Sequence, residues 1–110
     1  MARRGWISEN KCKQELIKQF GKHSVIKVAI GGAEDFLVAS CGELVKVVEV
    51  KEVHNRKYYP KQIEKIQIER IIEFSKFHHI IAEMWIYQYS GRGKPAKQEI
   101  KQLYNPIGEV

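Results

Sequence analysis

The ten residues "LVKVVEVKEV", Leu44 to Val53, constrain the fold of this chain more than any other stretch. They are rich in β-branched residues, and the first of them are apolar at consecutive rather than alternate positions. Side chains alternate along a strand, so Val45, Val47, Glu49 and Lys51 are expected on one face and Leu44, Val48 and Val50 on the other. A strand at a solvated edge would alternate cleanly from its start. One that begins apolar on both faces is an interior strand, covered on two sides. Glu49 and Lys51 then stand two residues apart on one face at the end of a buried strand, where a cleft can open.

The rest of the chain supplies covers for such a strand. Ser8 is expected to cap a helix running to about Phe20, with Cys12, Leu16, Ile17 and Phe20 at helical spacing and Gly21 as the stop. "SVIKVAI", Ser24 to Ile30, reads as a strand ended by Gly31 and Gly32. "DFLVAS", Asp35 to Ser40, forms a hairpin with the central strand around Gly42. A longer helix is expected from about Pro60 to Lys76, with Ile63, Ile66, Ile68, Ile71, Ile72 and Phe74 over a wide apolar face. "HIIAEMWIYQY", His79 to Tyr89, reads as a further strand, on which His79 and the adjoining His78 face opposite ways. "SGRGKP", Ser90 to Pro95, is a loop, and Pro95 to Tyr104 a short helix or strand. The order αβββαβ plus a short C-terminal element predicts an α/β fold, a central mixed sheet flanked by helices. At 110 residues, 1–110 is expected to be a single domain with a core of its own.

Composition narrows the classes of function. Cys12 and Cys41 form no CxxC and no disulfide framework, which suits reduced thiols in the cytoplasm. No run approaches the length of a membrane span, and the basic start "MARRGWISEN" is not followed by an apolar signal core. A soluble intracellular protein is expected, with no membrane partner and no small-molecule cofactor. Nineteen Lys and Arg against thirteen Asp and Glu leave a formal charge of +6, which favours a polyanion as partner. For a nucleic acid this implies a nucleoid-associated location.

The hairpin brings a third ionisable group to the strand. With Cys41, Gly42 and Glu43 as a three-residue loop, Ser40 pairs with Leu44 and Asp35 falls opposite Glu49, whereas a two-residue loop would shift the register and put Asp35 on the wrong side. Directly opposed residues have Cβ atoms roughly 5 Å apart. Two carboxylates that close raise one another's proton affinity unless a cation sits between them. A hard divalent ion such as Mg²⁺ takes carboxylate oxygens and keeps waters for chemistry.

Asp35 followed fourteen residues later by Glu49-Val50-Lys51 resembles the D…(D/E)xK core of the PD-(D/E)xK nuclease superfamily, with Glu34 where that superfamily often has proline. "RGWISENKCKQELIKQFG", Arg4 to Gly21, is similar to the opening of archaeal-type Holliday junction resolvases, with Glu9 on the glutamate that opens their first helix. "IQIERIIEF", Ile66 to Phe74, resembles their second helix, including the glutamine that matches Gln67. The segment "VAIGGAED" before Asp35 lacks the serine the resolvases often carry there.

The resemblance implies a restriction-endonuclease-like fold and a Mg²⁺-dependent endonuclease, with Mn²⁺ as a substitute ion, that resolves four-way DNA junctions as a homodimer. Asp35 and Glu49 would be metal ligands, with the Val50 carbonyl and Glu9 completing the shell, and Lys51 would act on the attacking water or the phosphate. Arg3, Arg4, Arg56, Lys57, Gln67, Arg92 and Lys94 are candidates for DNA contact, mostly through phosphates. A repair or restriction-type nuclease and a non-catalytic nucleic-acid-binding subunit are the alternatives.

Overall fold

A computed structural model describes residues 6–30, 35–55, 62–91 and 93–108. Helix α1 (Trp6–Phe20) leads into strands β1 (Val25–Val28), β2 (Asp35–Ser40) and β3 (Glu43–His54), then helix α2 (Gln62–His78) and strands β4 (Ile81–Tyr89) and β5 (Lys97–Tyr104). These strands form one five-stranded mixed sheet in the order β1-β2-β3-β4-β5. Only β3 and β4 run parallel. Parallel neighbours need a crossover long enough to return the chain to the same end, and α2 is that crossover. The segment after Pro95 is thus a strand, and as an edge strand it is exposed along most of its length.

The central position expected for "LVKVVEVKEV" is observed: β3 is third of five, and Val47, Val48, Glu49 and Val50 are all buried. On one face, Cys12 and Leu16 of α1 pack with Phe36, Val38, Val48, Val50, Trp85 and Tyr87. On the other, Ile71 of α2 meets Val47, Ile80 and Ala82, while Ile68 lies against Val53, Met84 and Ile86. Both cysteines are free, and burial pushes the Cys12 thiol up, so that group is an inert part of the core. No described helix is long and apolar enough to cross a membrane.

The β2–β3 hairpin reaches the expected register by a different route. Its loop has two residues, Cys41 (φ 53°) and Gly42 (φ 83°), flanked by the pair Ser40–Glu43. Positive φ at both central positions is the geometry that matches a tight turn to the twist of its strands. The pairing then slips between Val38 and Ala39, from Ala39–Leu44 to Val38–Lys46, so Val45 is an extra residue on β3. That β-bulge makes up for the shorter loop and brings Asp35 opposite Glu49. It also reverses the expected facing at the strand's start: Leu44 packs on the α2 side with Val47, and Val45 on the α1 side with Val48.

Two local expectations are corrected. Helix α1 begins before Ser8, which is buried in its first turn; Ser8 Oγ donates to Glu52 Oε1 and lies 2.9 Å from the Tyr89 hydroxyl. The serine therefore fastens the helix to β3 and β4 instead of capping it. His78 and His79 are not on a strand: His78 ends α2, and His79 has φ 55° in the turn before β4.

Candidate functional site

The bulged hairpin and the crossover helix bring five polar side chains together on the α2 face of the sheet. Asp35 is the first residue of β2 and is fully buried, and the Ile30 backbone N–H donates to its Oδ2 at 2.9 Å. Glu49 stands opposite on β3 and is 1% exposed. Lys51 follows two residues on, on the same face, with its Nζ 3.1 Å from Glu49 Oε1. Helix α2 closes the group from above: Lys51 Nζ donates to Gln67 Oε1 at 3.1 Å, and Glu64 Oε2 lies 3.9 Å away. Glu64 and Gln67 are three apart and so share one face of the helix.

Burial grades along this row. The Glu49 side chain is 2% exposed, Lys51 16% and Glu64 19%, so the site runs from the interior of the sheet toward solvent. Burial, first of all, raises the Glu49 carboxyl above its ordinary value; Asp35 and Glu64 push it the same way, while Lys51 pulls it down without prevailing. Its Oε2 makes no hydrogen bond among the described residues. A folded protein seldom leaves a carboxylate oxygen buried and unsatisfied unless a ligand or ion completes it.

Glu49→Gln is therefore expected to stabilise the protein at pH 7 when divalent cations are chelated. The folded state holds the Glu49 proton more tightly than the unfolded chain does, so the wild type loses stability as pH rises from the unfolded carboxyl pKa through the raised folded one. Glutamine undergoes no such loss, and Lys51 keeps Gln67 and Glu64 as partners. An unsatisfied buried polar group costs about 1–3 kcal/mol, so a midpoint higher by roughly 4 °C or more is expected in thermal melts. The difference should vanish below about pH 4, where an unfolded glutamate is itself protonated. A variant less stable than wild type at pH 7 would mean that the Lys51 ion pair outweighs the burial of Glu49.

The other sequence candidates divide. Gln67 belongs to this site through Lys51, and does not stand out as a surface contact. Val50 turns its side chain to the core on the α1 side, so only its main chain is left for the site. Glu9, 6% exposed in the first turn of α1, forms an ion pair with Lys27 of β1 on the α1 side of the sheet. Among the described residues no three His, Cys, Asp or Glu side chains form a group fit to hold a metal, so Asp35 and Glu49 are a pair to which Glu9 does not add a third carboxylate. Lys94 is exposed in the turn after β4, its N–H bonded to the Gly91 carbonyl. Arg3, Arg4, Arg56, Lys57 and Arg92 lie outside the described residues.

Glu64 escaped the sequence reading. Its only signal there is a carboxylate one helical turn before Gln67, which gains meaning once α2 is known to cross above Lys51. A second polar network was also missed, on the opposite face of the same strand end. Glu52 accepts from Ser8 and lies 2.9 Å from His54 Nε2, and the His54 ring stacks on Tyr89 at 5.0 Å. It fixes the first turn of α1, and with it Glu9, against the ends of β3 and β4.

No family model, characterised protein or solved structure matches this chain.

Proposed function

We propose that this protein is a Mg²⁺-dependent, structure-selective DNA endonuclease of the Holliday junction resolvase type, with a restriction-endonuclease-like arrangement of its sheet. The proposal is carried by one observation: Asp35 and Glu49 are buried directly opposite one another with Lys51 on the same face. Structural ion pairs are normally left at the surface, where the charges stay hydrated. Burying two carboxylates side by side at a strand end is a poor way to build stability and a good way to hold a hard cation.

The donor set fits Mg²⁺ or Mn²⁺, because both groups are oxygen acids and Glu49 has a buried oxygen with no hydrogen bond among the described residues. Asp35 and Glu49 would hold the ion, with the Val50 carbonyl as the further contact that the family resemblance implies, while Glu9, paired with Lys27 on the α1 side of the sheet, takes no part. When bound, the ion supplies Lewis-acid polarisation of the phosphate and a water of lowered pKa. Asp35 is oriented for its part by the Ile30 N–H. Lys51 offsets the charge that builds on the phosphate, and Gln67 and Glu64 keep its ammonium aimed while Glu49 is engaged with the ion. Exposed Lys94 and Lys97, with the basic residues of the N-terminus and loops, contact phosphates and thereby follow the shape of the DNA.

Cutting a four-way junction into two duplexes requires matched cuts in two strands, hence two sites related by symmetry in a homodimer. The deciding experiment offers the protein a mobile four-way junction and a linear duplex of the same sequence, with Mg²⁺ and with chelator. Paired nicks in the junction alone, and only with Mg²⁺, are expected. Cleavage of flaps or single strands with junctions ignored would favour the repair-nuclease alternative, and no cleavage of any DNA would leave a binding subunit.

A further inference from the structure

At the end of β3, on the α1 side of the sheet, four side chains close into a ring of contacts that the proposed chemistry does not use. Buried Ser8 donates to Glu52 Oε1 and lies 2.9 Å from the Tyr89 hydroxyl. Glu52 Oε2 is 2.9 Å from His54 Nε2, and the His54 ring is stacked on that of Tyr89, with centres 5.0 Å apart and planes 14° from parallel. Asn55, at φ 57°, then turns the chain out of the sheet, and its N–H donates to the Tyr89 carbonyl at 2.7 Å. His54 is thus held by its edge, by one face and by the backbone beside it.

Fastening α1 to the strands does not need the imidazole, because Ser8 reaches Glu52 and Tyr89 directly. The His54 side chain is nevertheless 36% exposed, so a ring fixed in orientation is also presented to solvent. Lys11, exposed on α1, places its Nζ 5.4 Å from the centre of the Tyr89 ring, and a cation therefore stands beside the stack. Lys51 comes three residues before His54 on β3, roughly 10 Å away along the strand and on the opposite face. An aromatic face flanked by cations, in a chain of net charge +6, suits one class of ligand. That ligand is a nucleotide, whose base is a flat π system and whose phosphate is an anion.

We propose that His54, backed by Tyr89, is a stacking platform for an unpaired DNA base. A fully paired duplex hides its base faces in the stack, whereas a bulge, a branch point or a single strand exposes them. The platform gives the protein a means of preferring such DNA that phosphate contacts alone do not provide. The inference rests on the proposed function for its choice of DNA and adds a base contact to it, but it makes no use of Asp35, Glu49 or Mg²⁺. A protein that cuts junctions and shows no preference for an unpaired base would keep the nuclease reading and lose the platform. One that shows the preference and cuts nothing would keep the platform and lose the nuclease.

The test is binding of the full chain, in the presence of chelator and followed by fluorescence anisotropy, to two labelled duplexes of the same sequence, one fully paired and one with a single bulged thymine. Circular dichroism verifies that each variant is folded. Wild type should prefer the bulged duplex by about fivefold or more, the scale of one base stacked on an aromatic ring. His54→Ala should lose that preference. His54→Phe, which restores a ring without a charge, should regain it, and His54→Lys, which restores a charge without a ring, should not. An abasic residue in place of the bulged thymine keeps the bent backbone and removes the base, and should abolish the wild-type preference. Equal affinity of wild type for the two duplexes, a preference that survives His54→Ala or the abasic bulge, or one that phenylalanine fails to restore would each overturn the platform.

Discussion

Asp35→Asn, Glu49→Gln and Lys51→Ala are each expected to lower Mg²⁺-dependent cleavage of a four-way junction by about a hundredfold or more, the scale seen when one preorganised electrostatic group is lost, while binding of the junction survives. The first two substitutions keep the shape of the buried pair and remove a charge from it; the third removes the cation that faces them. Binding is expected to survive because the proposed phosphate contacts lie elsewhere on the protein. The three can be told apart by a measurement that needs no turnover. If Mg²⁺ is held by Asp35 and Glu49 as proposed, it binds the folded state alone and should raise the wild-type melting temperature. That rise should disappear in Asp35→Asn and Glu49→Gln and persist in Lys51→Ala, since Lys51 is no ligand. A Glu49→Gln protein that cuts junctions at the wild-type rate would remove Glu49 from the site and the metal assignment with it.

Affinity for the junction should fall by about three orders of magnitude or more between roughly 50 and 200 mM salt, as it does when six or more phosphates are neutralised and their counterions released. The net charge of +6 and the exposed Lys94 and Lys97 are the grounds for expecting so steep a slope. Replacing either lysine by alanine should weaken binding alike for all sequences and flatten the slope by about one contact. Binding that ignores salt would mean that the basic surface is not the DNA interface.

These expectations rest on features of unequal legibility. The element order, the interior position of β3 and the amphipathic helices could be read from sequence, because each follows from local periodicity in a chain of a few residues' reach. The pairing of Asp35 with Glu49 could also be anticipated, yet for a reason that did not hold. The loop after β2 is shorter by one residue than the reading required, and the bulge at Val45 restores the register. Two changes of one residue each cancel, and hairpin geometry alone does not reveal either.

What the sequence by itself determined is which strand is buried and which ionisable groups lie along it, since alternation and β-branching act over neighbouring residues. Only the tertiary structure decided how those groups meet. Glu64 and Gln67 reach Lys51 because α2 crosses over the sheet between β3 and β4, and Glu9 sits with Lys27 because α1 lies on the other face. Such contacts join residues distant in the chain, and their partners are chosen by how helices pack on a sheet. Burial of Glu49 likewise depends on everything stacked around it. No single stretch of sequence encodes that environment, and it is the environment that raises the Glu49 carboxyl and leaves its Oε2 without a hydrogen bond among the described residues.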